Sequence, residues 1–324
     1  MLCRFPTDFQ VFSRLLILAV LTVVLTGCST TPQTNSLLAR KDAGIPPRIE
    51  LTSVPFHPQE QYQCGPAALA TVLEFSDAEA TPNALVPQVY VPDRQGSFQV
   101  EMLAATRRYQ RLAHVIEPTL DTLFASVAAG QPVLILQNLG LNWYPRWHYA
   151  VVVGYDLERR QVLLRSGVTK RYAMGMKLFE RTWRRADHWG MVVLAPGELP
   201  VADNPRAYFL SAAAFETNTP PLLADRAWRS GLERWPTSIE LLMGHGNFLH
   251  GQGSFDTAIE RFLAVTEQAP GYGPGHNNLA QALLSANRRA EALASVRRAV
   301  AIGGELEAVY RETLHQIESA LAAP

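Results

Sequence analysis

The segment Pro55-Phe56-His57-Pro58-Gln59-Glu60-Gln61-Tyr62-Gln63-Cys64-Gly65-Pro66-Ala67-Ala68-Leu69 sets one thiol directly ahead of a run of good helix formers. Proline is preferred in a first helical turn, so Pro66 predicts Cys64 at or just before a helix N-terminus. Unpaired backbone N–H groups and the positive dipole end at such a place favour thiolate over thiol. A cysteine kept only for packing, a common fate of free cysteines, would more often sit inside the apolar stripe. Gln59 precedes the thiol closely enough for its amide to reach an oxyanion developing beside the sulfur. A nucleophilic thiol also needs a base. His148 heads Trp147-His148-Tyr149-Ala150-Val151-Val152-Val153-Gly154-Tyr155, which reads as a β-branched strand beside a second one within Gln131–Gln137. A histidine at a strand start can face a helix N-terminus across a cleft; its plainer role is to cap or pack. Trp143, Tyr144 and Trp147, just ahead of it, suit loop packing or the lining of a substrate groove.

The N-terminal region bears on the state of that thiol. The apolar run Leu15–Val24 follows Arg4 and Arg14 and is too short for a stable span, so it reads as a signal peptide. Leu25-Thr26-Gly27-Cys28 behind it resembles a bacterial lipobox, which implies cleavage before Cys28 and a lipid on its sulfur; an ordinary secretory signal with an incidental cysteine is the alternative. Ser29 resembles the outer-membrane default, so the expected place is the cell envelope, lipid-anchored at the outer membrane and facing the periplasm. Residues 28–49, polar and containing Pro, Thr and Asn, are expected to form a flexible tether after the signal peptide 1–27. Of the three cysteines, Cys3 leaves with the signal and Cys28 takes the lipid. Cys64 is then a lone thiol in an oxidising compartment, with no disulfide partner.

Gln59…Cys64-Gly65-Pro66-Ala67 followed by His148-Tyr149-Ala150-Val151-Val152-Val153-Gly154-Tyr155 resembles the papain-like cysteine peptidases of the bacteriocin-processing, double-glycine leader peptidase family. The resemblance covers roughly residues 50–200. It implies an α+β papain-like fold with a helical half and an antiparallel-sheet half, with Cys64 as nucleophile, His148 as general base and Gln59 as oxyanion donor. In the family an aspartate on the strand after the histidine completes the triad. Here that strand reads Gln161-Val162-Leu163-Leu164-Arg165-Ser166-Gly167, and Ser166 occupies the expected place. Ser166 is the first candidate to orient His148, with Asn138 second and Asp156 third. The Gln59 to Cys64 spacing is one residue shorter than the family's, which leaves Gln61 and Gln63 as further donors.

Past Pro196-Gly197-Glu198-Leu199-Pro200 the composition turns Ala- and Leu-rich with helical spacing, and a period of thirty-four residues emerges. Ala224, Ala258 and Ala292 coincide, as do Trp228, Phe262 and Val296, then Phe215, Leu249 and Leu283. Ala212, Gly246 and Ala280 supply a small residue where paired helices would approach closely. The pattern resembles the tetratricopeptide repeat: an all-α array of three units over 205–304, from about Pro205, Ile239 and Gly273, with a capping helix over 305–324. The concave face of such arrays usually holds a peptide or protein partner.

Lys+Arg 29 balances Asp+Glu 29 without a basic stripe, so no source of phosphate affinity is visible and nucleic acid is not an expected partner. The histidines lack carboxylates or thiols at ligand spacing, and neither a metal nor a cofactor is expected. Two functions follow. One is a membrane-anchored thiol hydrolase cleaving a peptide or amide bond through an acyl-enzyme at Cys64, its repeats recruiting substrate or partner. The other is a degenerate peptidase fold serving as a binding and assembly scaffold.

Overall fold

A computed structural model describes residues 31–58, 63–94 and 96–322. The N-terminal apolar run, the lipobox with Cys28, and Gln59 and Gln61 lie outside the described residues.

The chain enters through helix α1 (Pro32–Ala39), which is packed on the sheet domain with Thr34 and Leu37 buried. Its unpaired N-terminal donors are met by a carboxylate. Glu180, buried itself, accepts from the backbone N–H of Gln33 at 3.1 Å and of Thr34 at 2.8 Å, the charge sign a helix N-terminus prefers. Strand β1 (Arg48–Glu50) follows and joins the sheet. The flexible tether expected over 28–49 is therefore corrected for its described part. Pro32 at the start of α1 and the buried Leu37 turn a segment of unremarkable composition into a docked element.

Next come α2 (Cys64–Phe75), α3 (Pro82–Val89), the two-residue strands β2 (Tyr90–Val91) and β3 (Gly96–Ser97), then α4 (Gln99–Arg108), β4 (Leu112–Val115) and α5 (Leu120–Ala128). Thr81 and Thr119 start α3 and α5 by accepting the N–H of Ala84 and of Thr122. The antiparallel half contains β5 (Val133–Asn138), β6 (Trp147–Asp156), β7 (Gln161–Ser166), β8 (Thr169–Gly175), α6 (Met176–Arg184) and β9 (Gly190–Leu194). The strands run in the order β4-β9-β5-β6-β7-β8, every neighbour antiparallel, and β1 pairs with the last residues of β6 beyond the point where β5 stops. Alternation in β5 and β6 divides two cores. Leu134, Leu136, Tyr149 and Val151 face α2, whereas Val133, Ile135, Ala150 and Val152 face the layer containing α5 and α6.

The C-terminal region is all helix. First helices α7 (Pro205–Glu216), α9 (Ile239–Gly251), α11 (Gly273–Ser285) and α13 (Glu307–Ala322) begin thirty-four residues apart. So do the second helices α8 (Pro221–Arg234), α10 (Phe255–Gln268) and α12 (Arg289–Ile302). The periodic columns Ala224, Ala258, Ala292 and Trp228, Phe262, Val296 are buried throughout. At Gly246 a Cβ would come within 2.6 Å of the Phe262 ring, which is the close helix approach its column anticipates. By its spacing, α13 is the first helix of a fourth unit.

The array is not a loosely tethered appendage. Tyr208, Phe215 and Trp228 share one apolar core with Phe124, Val192 and Trp183 of the sheet domain. At this junction His114 on β4, 2% exposed, lies with Nδ1 3.0 Å from Ser211 Oγ on α7. Burial pulls the His114 pKa from 6.5 down to about 4, against a weaker opposite pull from Glu117. The imidazole is thus held neutral in the fold, and its stabilising contribution is complete above the unfolded value of 6.5 and lost as pH falls to about 4. Wild type should lose about 3 kcal/mol across that window through this group alone. Urea titrations at both ends of the window should show the His114→Gln chain losing less stability than wild type on acidification; equal losses would remove His114 from the account.

Candidate active site

Helix α2 opens at the thiol. The Ala67 N–H bonds Gln63 O at 3.2 Å, fixing the first turn around Cys64, and residues 65 to 73 are buried beneath the sheet. Gln63, the residue ahead of the helix, makes no side-chain capping bond. Gly65 permits a close approach: a Cβ there would lie 2.7 Å from Ser97 Cβ and closer still to Ser97 Oγ. That hydroxyl is buried and makes no hydrogen bond among the described residues. Tyr149 reaches the same strand, its hydroxyl donating to Ser97 O at 3.2 Å, so the β2–β3 hairpin is fastened beside the thiol. Burial, with Cys64 nearby, raises the Tyr149 pKa and keeps its donor proton in place.

Cys64 is a free, partly buried thiol. Burial raises its pKa, and the backbone N–H groups of Tyr149, Gly65 and Cys64 itself oppose that without overcoming it. The expectation of a depressed pKa from the helix terminus is therefore corrected. The N–H groups are present, but the loss of solvent around the sulfur outweighs them. Alkylation of Cys64 by iodoacetamide is expected to have its pH midpoint above that of a free cysteine in the same buffer. A midpoint at or below the free-thiol value would contradict this electrostatic picture.

His148 stands second in β6, paired in register with Gln137. Its Nε2 lies 2.8 Å from Ser166 Oγ, on the last residue of β7. Gly167, at φ +58°, makes the turn into β8 that leaves Ser166 at this sheet end. Burial lowers the His148 pKa, so the ring rests neutral. In the tautomer with the proton on Nε2, that nitrogen donates to Ser166 and Nδ1 keeps its lone pair. The Cys64 sulfur is met by the backbone of Tyr149, the residue after His148. Among the described residues no hydrogen bond joins the thiol to the imidazole, a looseness usual in sites without substrate.

The other candidate orienters are occupied. Asn138 Oδ1 accepts from the backbone N–H of Gly140 and of Arg146, both at 2.9 Å, and its amide donates to Leu141 O, so it shapes the β5–β6 loop. Asp156 sits at the far end of β6 opposite Gln161 and accepts the Arg159 N–H at 2.8 Å. Ser97 and the Tyr149 hydroxyl were missed by sequence reasoning, because a two-residue strand pair leaves no periodic signal. Among the described residues no three of His, Cys, Asp or Glu gather as a metal ion would require.

Residues 51–191 match the model of the Peptidase_C39 like family. Residues 51–191 thus resemble a C39-like domain with an antiparallel sheet, and the helical array after them resembles tetratricopeptide repeats. Among solved structures, a putative C39-like peptidase from Bacillus anthracis is similar at 18% identity, covering 45% of this chain and 97% of its own, with a TM-score of 0.39. A double glycine motif protease from an AMS/PCAT transporter, in complex with its leader peptide, is 22% identical over 44% of this chain and 91% of its own, TM-score 0.35. The TPR2B domain of yeast Sti1, in a pHsp70 complex, is 16% identical over 36% of this chain and 97% of its own, TM-score 0.34. No curated protein matches the chain.

Proposed function

We propose that the protein is a thiol peptidase, anchored to the outer membrane through a lipid on Cys28 and facing the periplasm, that cleaves a peptide or amide bond through an acyl-enzyme on Cys64. The observation that carries this reading is the 2.8 Å contact from His148 Nε2 to Ser166 Oγ beside a helix-terminal thiol, since it orients the ring and leaves Nδ1 to act as base. In the proposed reaction the Cys64 proton passes to Nδ1 as the sulfur attacks the scissile carbonyl. The C–N bond then breaks, and the imidazolium returns that proton to the leaving amine. Water, deprotonated by the same nitrogen, hydrolyses the thioester and regenerates the thiol. Gln59 is proposed as donor to the oxyanion, with Gln61 and Gln63 as the alternatives. The repeats would present a substrate or a partner protein to this site.

The scaffold reading is favoured by a specific observation: the raised thiol and lowered imidazole pKa values leave both groups neutral at rest, and among the described residues no carboxylate supports the ring. A thiol-directed covalent peptidase probe separates the two, read by intact mass with Cys64→Ala as the reference. Labelling of wild type at one site, absent in Cys64→Ala, supports the peptidase. An accessible Cys64 that reacts with small alkylating agents but never with the probe supports the scaffold.

A further inference from the structure

The β5–β6 loop beside His148 holds apolar rings in water. Trp143 is 81% exposed, Tyr144 65%, Trp147 55% and Leu141 53%. This is not slack chain. Leu141 and Tyr144 exchange backbone hydrogen bonds at 3.1 Å, the Leu139 N–H bonds Arg146 O at 2.8 Å, and Asn138 secures the base of the loop. A fold that fixes its large side chains outward marks a contact surface.

Three features identify what meets it. The chain entry and the loop both contact the C-terminal part of α6: Glu180 caps the start of α1, and Arg185, just past the end of α6, donates to Gly140 O of the loop. Ahead of Thr31 the sequence holds the apolar run Leu15–Val24 and then Cys28, which lies at most ~10 Å of extended chain from Thr31. Anything that retains Cys28 at a bilayer therefore holds the start of α1, and α6 beneath it, close to its surface. Near the loop and the end of α6, Arg146, Arg181 and Arg185 outnumber the carboxylates of Glu180 and Asp187, and Glu180 is buried against α1. Tryptophan and tyrosine prefer the bilayer interface, and basic residues beside them suit anionic headgroups. No described helix is long and apolar enough to cross a membrane.

We propose that residues 139–147 form a membrane-interface loop that seats the candidate active-site face on an anionic bilayer. The attachment rests on the lipid anchor proposed above; the insertion of the rings is a separate claim. The test uses the full chain on phosphatidylcholine–phosphatidylglycerol vesicles containing dibrominated phosphatidylcholine. Flotation reads attachment and tryptophan emission reads insertion. Trp143 and Trp147 are two of six tryptophans, so brominated lipid should quench a distinct part of wild-type emission, and Trp143→Ser/Trp147→Ser protein should float equally yet escape that quenching. A floating wild type without quenching, or equal quenching in the variant, overturns the loop proposal. So does a variant that retains full loop-independent emission changes but loses only peptide turnover, which would give the rings to substrate. Wild type that fails to float removes the anchor instead. In that case Cys28→Ala chain held by an N-terminal histidine tag on nickel-chelating lipid decides the loop by the same quenching difference.

Discussion

His148→Ala should lower the rate at which peptide substrates acylate Cys64 by about 10³-fold or more, as removal of one member of a catalytic unit usually does. The size follows from the resting state. Burial holds the thiol above its ordinary pKa, so little thiolate exists near neutral pH, and an acceptor must take the proton during attack. His148 is neutral under the same conditions because burial lowers its own pKa, the form in which the proposed base would accept a proton. Its activity-bearing form therefore persists below the usual histidine range, which should extend the acid limb of kcat/KM to lower pH than a solvent-exposed histidine would allow. Rates measured on folded variants, with far-UV dichroism and thermal midpoint matched, provide the check; a His148→Ala rate within a fewfold of wild type would leave the thiol without its assigned base.

The second large effect is a gain. Ser166→Asp should raise acylation by about tenfold, the equivalent of one pKa unit of added support for the imidazolium. Serine supplies direction through a neutral hydrogen bond, whereas aspartate would add charge to the same contact with Nε2. The carboxylate raises the imidazole pKa against the burial that lowers it, so the acid limb of kcat/KM should move upward in pH as the plateau rises. Ser166→Ala should cost only the ~0.5–1.5 kcal/mol of a neutral hydrogen bond, a fewfold to about tenfold in rate. Unchanged rate and unchanged acid limb in Ser166→Asp would mean that residue 166 does not govern the ring.

The residues behind these expectations were legible to different degrees. Cys64 announced its helix terminus through Gly65-Pro66 and the alanine run after it, and His148 its strand through five apolar residues in succession. The thirty-four-residue period located the repeat helices because each helix pair must bury the same columns on its neighbours. Ser166 could be matched to His148 only through the family resemblance, which implies an orienting residue on the strand after the histidine; the structure sets the two 2.8 Å apart. The thiol's electrostatics were not legible: a helix N-terminus is a local property, but desolvation depends on the sheet, on Tyr149 and on a hairpin brought from elsewhere in the chain. The docking of α1 was hidden for the same reason, since its cap, Glu180, lies 147 residues away from Gln33. Nor does composition show that His114 and Ser211 fuse the sheet to the first repeat.

The central claim is that Cys64 carries the acyl group and that His148, set by Ser166, delivers its proton. The most direct measurement is rapid-quench intact-mass analysis of the full chain mixed with a peptide ester whose hydrolysis is slower than its acylation. The account predicts a thioester adduct, mapped to Cys64 by peptide digestion, that forms in wild type, faster in Ser166→Asp, and not on the same timescale in His148→Ala. An adduct that forms equally fast in wild type and His148→Ala, or one that maps away from Cys64, would contradict it.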